Sequence, residues 1–223
     1  SRRVEAALAD GSLDEAVLDT AVSRVLGLVG RAQPGLAGHD PVDHDAHHAL
    51  ARRAAAACTV LLRNDGDVLP LGAASGRVAV VGELARTPRY QGAGSSKVNP
   101  TRVDAALPEL EAGLGASFAG FAPGYGVDDP AVDGEALRAE AVALASSADL
   151  AVVVLGLPPS YESEGYDRDH LDLPAEQVAL LGAVAEVVDR VVVVLANGGG
   201  VAVAEWQHHA DALVEGWLGG QAG

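Results

Sequence analysis

Two stretches of the chain carry no polar alternation at all: Val152-Val153-Val154-Leu155 and Val191-Val192-Val193-Val194-Leu195. Short unbroken runs of β-branched residues suit strands buried on both faces, so these two predict the middle of a sheet. Shorter apolar runs over 59–62, 78–81, 117–122 and 212–217 predict further strands. Between them, three- and four-residue apolar spacing predicts helices over 104–114, 134–147 and 174–188. An alanine-rich helix over 43–57 runs into the first strand, which a turn closes at Asn64-Asp65-Gly66. Strands alternating with helices predict an α/β fold, a mostly parallel sheet with helices on both faces.

The pattern upstream is different. From Ser12 to Val29, Leu13, Val17, Leu18, Val22, Val25, Leu26 and Val29 form one apolar stripe, with Ser12 placed as N-cap and Glu15 three residues on, the spacing of a capping box. A Gly/Pro/His/Asp-rich stretch, Gly30 to Asp43, then separates this helix from the α/β pattern. The expected organisation is a helical tail of a preceding domain over 1–30, a linker over 31–48 and the α/β domain over 49–223, truncated at its C-terminus. With no methionine in the chain and a helical pattern already running at its first residues, the expectation is a segment of a longer polypeptide, whose termini say nothing of targeting.

Charge narrows the partners. A net charge of −16 argues against nucleic acid and against an anionic membrane surface, which both need clustered Lys and Arg, and favours a neutral or cationic ligand. No apolar run approaches the roughly 20 residues that span a bilayer. The single cysteine, Cys58, sits in the apolar run 54–62 and reads as a small core residue.

Candidate chemistry gathers where the sheet would deliver its loops. Beyond the apolar strand 151–155 comes Tyr161-Glu162-Ser163-Glu164-Gly165-Tyr166-Asp167-Arg168, a position where open α/β sheets place ligand groups. A carboxyl beside an aromatic ring can keep its proton near neutral pH, making one of these glutamates a candidate general acid. The Asp167-Arg168 pair is a candidate clamp for the loop, since a guanidinium can hold a carboxylate. The other reading is a solvated acidic loop. The glycine-rich Gln91-Gly92-Ala93-Gly94-Ser95-Ser96-Lys97 lacks both the third small residue of a dinucleotide fingerprint and the Gly-Lys-Ser/Thr of a P-loop. Its two hydroxyls suit a polyol instead, and an ordinary solvated turn is the alternative. His44 and His48 share a helical face at the spacing of two zinc ligands, but no third ligand is evident nearby, so no metal site is assigned.

Several segments together look familiar. Thr59 to Gly66 through Leu69-Pro70-Leu71, Val78 to Gly82, Gly92-Ala93-Gly94-Ser95-Ser96, and Glu162 to Arg168 with Leu173-Pro174 resemble, in order and spacing, the second domain of family 3 glycoside hydrolases, the β-glucosidase and β-xylosidase group. Asn197-Gly198-Gly199 and Trp217-Leu218-Gly219-Gly220-Gln221 extend the likeness across nearly all of 49–223, and the segment Leu8 to Leu28 is similar to the closing helices of that family's preceding (β/α)8 barrel. The resemblance implies a retaining exo-β-glycosidase acting on a small β-glycoside, with no cofactor. Glu164 would be the acid/base, with Glu162 as the fallback, and a nucleophilic aspartate would lie on a barrel this sequence lacks. Ser95 would hydrogen-bond the sugar, with Ser96 and Tyr166 beside it. The fragment alone is expected to be inactive. The competing readings are a non-catalytic carbohydrate-binding domain and a structural or dimerising one; a homodimer is one expected form of self-association.

Overall fold

A computed structural model of the chain describes residues 2–36, 38, 41–129 and 131–223. It divides into two compact units, 1–43 and 44–223. In the first, α1 (Arg2–Ala9) is followed by α2 (Glu15–Leu36). The N-cap of α2 is Asp14, whose Oδ1 accepts the Ala16 amide at 2.9 Å. Ser12, the expected cap, instead uses its amide on Asp10 and its hydroxyl on the Ala7 carbonyl. The helix also runs on through Gly30 and Pro34, six residues into the stretch read as linker, although Pro34 has no N–H to give the Gly30 carbonyl. No residue of α1 or α2 is buried, and Val17, Val22, Val25, Leu26 and Val29 of the apolar stripe are exposed. Of the expected linker, 37, 39 and 40 lie outside the described residues, and from His44 onward the chain is helical again.

The second unit begins with α3 (His44–Cys58) and is built on a six-stranded sheet: β1 (Val60–Asn64), β2 (Val78–Val81), β3 (Phe118–Ala122), β4 (Leu150–Gly156), β5 (Val191–Ala196) and β6 (Ala212–Glu215). Their order is β1-β6-β5-β4-β2-β3, all parallel except β1, which runs antiparallel to β6. The sheet is the α/β sandwich the patterning predicts. Each of the seven residues of β4 is buried, as is each of the four in β2, because both faces are covered.

The helices follow from handedness. The chain leaves β2 outward to β3 through α5 (Ala106–Leu114), then returns through α6 (Gly134–Ala145) to β4 and through α7 (Ala175–Ala185) to β5. Right-handed crossovers taken in opposite directions put α5 on one face and α6 with α7 on the other. The packing agrees: α6 lies against α7, β2 and β3, while α5 lies against β3 and the short α4 (Glu83–Arg86). The chain therefore reverses its winding between β2 and β4, and the loops after those two strands diverge to opposite faces. The crevice between such loops is the usual ligand site of an open sheet.

Two buried polar side chains hold parts of this unit together. Gln177 of α7, buried, donates to the Gly156 carbonyl and accepts from the Gly156 amide, both at 2.9 Å, satisfying the last residue of β4 where no strand does so. His48, also buried, bonds Asp104 Oδ2 at 2.8 Å and Gln221 Nε2 at 3.1 Å, and Arg52 reaches the same Asp104 oxygen at 2.5 Å. Since Gln221 Nε2 can only donate, His48 accepts at Nδ1 and donates from Nε2 to the carboxylate. This locks α3 to the end of the chain, a structural use for the histidine weighed as a metal ligand. Cys58 is exposed, contrary to its apolar setting in sequence, because the end of α3 and the outer strand β1 have no described element over them.

Candidate active site

The loops after β2, β4 and β5 meet at the switch point. After β2, Gly94–Ser96 form a single 3-10 turn. Gly94 has φ +82, and a Cβ there would lie 2.6 Å from Glu164 Cβ, so glycine alone lets this turn close on the β4 loop. The contact brings Glu164 Oε2 against the Ser95 amide at 2.7 Å and against the Ser95 hydroxyl, which donates to the same oxygen. Glu164 is otherwise exposed. With the Ser95 hydroxyl first and its amide second favouring the charged form, the Glu164 carboxyl is held below its ordinary range. The expected neighbour, an aromatic ring that would keep the proton on, is not what this carboxylate meets.

Glu162, two residues earlier, lives in another environment. Its Oε2 accepts from Arg89 Nη1 at 2.5 Å and from the Gly198 amide at 2.8 Å, and its Oε1 accepts from the Gly199 amide at 2.5 Å. Arg89 also donates to the Glu162 and Leu157 carbonyls. Burial pushes this carboxyl up, but the Gly198 amide, Arg89 and the Gly199 amide together outweigh it and hold Glu162 ionised below its usual range. Both of its oxygens are committed to the protein.

Glu162, Glu164, Ser95 and Ser96 line one open cleft of about 480 Å³ with Arg89, Ser163, Gly198 and Leu218. Ser96 turns its hydroxyl back to the Ala93 carbonyl at 3.2 Å. Tyr166 does not line the cleft: its hydroxyl donates to the carbonyls of Ser160 (2.7 Å) and Pro159 (3.1 Å), bracing its own loop. Asp167 is exposed and makes no ion pair with Arg168. Arg168 instead donates to the Gly200 carbonyl at 2.8 Å and lies 3.9 Å from Glu162, so the loop clamp belongs to Arg168 and Glu162. Among the described residues, no group of three or more His, Cys, Asp or Glu could hold a metal ion, and no helix is long and apolar enough to cross a membrane.

Three participants were not expected at the site. Arg89 stands alone among loop residues, 73 positions from its partner Glu162. Asn197, wholly buried, donates to the Gly199 carbonyl and to Glu215, whose own carboxyl burial pushes up. Asp128 caps the start of the β4 loop by accepting from the Ser160 amide and hydroxyl. The glycine pair of Asn197-Gly198-Gly199 was the one hint available: amides free of side chains suit a carboxylate.

Comparison with known proteins places this geometry. The Glycosyl hydrolase family 3 C-terminal domain matches residues 59–223. The chain is 43% identical over 222 residues to Thermostable beta-glucosidase B of Acetivibrio thermocellus, covering 99% of this chain and 29% of that protein. It is 43% identical over 227 residues to an Exo-alpha-(1->6)-L-arabinopyranosidase of Bifidobacterium longum, covering 97% of this chain and 30% of that protein. The crystal structure of the Bifidobacterium adolescentis GH3 beta-glucosidase superposes with a TM-score of 0.88 at 44% identity, covering 100% of this chain and 32% of that one. The chain thus spans about three-tenths of the length of the curated relatives it matches.

Proposed function

The chain belongs to glycoside hydrolase family 3, as that family's C-terminal domain, and on that premise we propose that it supplies the general acid/base of a retaining exo-β-glycosidase, with a terminal β-glucoside as substrate. Glu164 is that group. The observation supporting it is that Glu164, alone of the two glutamates, offers an oxygen to solvent in the cleft between the diverging loops, while Ser95 holds the other. The nucleophile lies outside this chain, so the chain by itself turns nothing over.

The lowered proton affinity of Glu164 fits the mechanism once the missing carboxylate is counted. A nucleophile roughly 5–5.5 Å away places a second negative charge beside Glu164 and drives its proton affinity up, so that it enters the reaction as an acid. The nucleophile attacks the anomeric carbon, the glycosidic C–O bond breaks, and Glu164 gives its proton to the departing oxygen. Esterified to the sugar, the nucleophile no longer carries charge, and Glu164 falls back to the ionised state that Ser95 favours. It then takes a proton from the water that attacks the anomeric carbon, releasing the sugar and restoring the nucleophile. Relatives of equal identity carry names with different sugars, β-glucoside and α-L-arabinopyranoside, so sugar choice is assigned to residues beyond this chain.

In the full-length protein, Glu164→Gln is expected to slow substrates with poor leaving groups by about 10²–10⁴-fold and activated aryl glycosides far less. Azide should restore turnover to Glu164→Ala as the glycosyl azide. Unchanged kinetics on both substrate types would sink the assignment.

A further inference from the structure

We infer that Glu162 is a positioning residue that fixes where Glu164 can stand, a role resting on the assignment of Glu164 above. The two glutamates share a loop but divide its work. Glu162 and Arg168, two residues before and four after Glu164, both fasten to one short segment: Glu162 takes the amides of Gly198 and Gly199, and Arg168 donates to the carbonyl of Gly200. Arg89, from the loop that also carries Ser95, closes the frame on Glu162 from the other side. Three loops of the sheet edge are thereby tied at one carboxylate, and Glu164 is held between the two fixed points.

The glycine pair is explained by the same carboxylate. A Cβ at Gly199 would stand 2.9 Å from Glu162 Oε1 and 3.1 Å from Arg168 Nη2, and one at Gly198 would stand 3.2 Å from Glu162 Oε2. The pair is bare so that its amides reach the carboxylate. Side chains of Glu162, Arg89 and Arg168 are 15%, 6% and 14% exposed, so the ion pair is shielded from water and holds its geometry. Its hydrogen bonding is also incomplete: Arg89 Nε, Arg168 Nη1 and Asn197 Oδ1 are buried without a partner among the described residues. A cluster that tolerates such groups places geometry above full satisfaction, a pattern found where a functional group must be aimed.

The test uses the full-length protein with Glu162→Gln and, because removing a buried charge can unfold the loop, Gly199→Ala as a second route that keeps every charge. Melting curves first establish that each variant is folded at the assay temperature. A misplaced acid costs most where protonation matters most. Both variants are expected to lose about 100-fold in kcat on poor leaving groups, about tenfold or less on activated aryl glycosides, with KM nearly unchanged and no rescue by azide. Wild-type kcat and leaving-group dependence in the folded variants would overturn the inference. So would azide rescue of Glu162→Ala, which would make Glu162 itself the acid/base. Glu164→Gln runs in parallel: if it alone is harmless, the fault lies in the functional reading; if it is crippled while the Glu162 and Gly199 variants are not, the fault lies here.

Discussion

Replacing Gln177 with leucine tests why β4 ends where it does. The native amide fills both hydrogen-bonding groups of Gly156 from a fully enclosed position. Leucine has similar bulk and packs well in an apolar shell, but it leaves one N–H and one C=O buried and unpaired. Each orphan costs about 1–3 kcal/mol, and leucine's better transfer to the interior returns part of that, for a net loss of about 2–4 kcal/mol. For a unit of this size the melting temperature should fall by roughly 5–15 °C. Urea unfolding of the chain, followed by the fluorescence of the buried Trp206, should show a lower midpoint with an unchanged slope. Gln177→Glu sharpens the test. Protonated, the carboxyl reproduces both bonds; ionised, it cannot donate to the Gly156 carbonyl and is buried as a charge. Its proton affinity is therefore raised on folding, and stability should be full below the unfolded pKa of glutamate and be lost as pH climbs through the folded one. A leucine variant within about 0.5 kcal/mol of the native chain, or a glutamate variant with no such pH dependence, would refute the account.

Two further outcomes are expected. In the full-length protein, Ser95→Ala removes the first of the two groups that keep Glu164 ionised, so the proton affinity of Glu164 rises. The acidic limb of the kcat–pH profile on aryl glycosides, where base-assisted release of the sugar limits, should move to higher pH, and an unmoved limb would count against Ser95 as the partner. On the outer strand, Val60, Leu61 and Leu62 are exposed, so the chain alone should self-associate with rising concentration in the ultracentrifuge. Leu61→Lys should reduce that association, whereas equal association in both would place the contact elsewhere.

Much of the architecture was legible because it is written locally. The strand 78–81 coincides with β2, and the unbroken valine runs lie in β4 and β5, since a doubly covered strand needs no polar alternation. What failed depended on distant partners. Nothing near Val60 announces that β1 runs antiparallel, because direction is set by β6 at the far end of the chain. Cys58 looks like core in its own neighbourhood and is exposed because no described element covers it. The helix α2 outlasts Gly30 and Pro34, each of which weakens a helix without being obliged to end it. In the cleft, the residues alone singled out both glutamates and only the family resemblance preferred Glu164, since the different settings of the two are made by Arg89 and two glycine amides that lie far off in sequence.

The antiparallel outer strand also imposes an order on synthesis. β1 is made before any other strand of the sheet, yet its one partner, β6, follows about 150 residues later. At about 5–20 residues per second on a ribosome, the apolar Val60-Leu61-Leu62 stays unpaired for roughly 8–30 s while the parallel strands between them emerge and stack. The nascent chain thus carries an open strand until β6 has left the exit tunnel, and β6 is the strand that closes it.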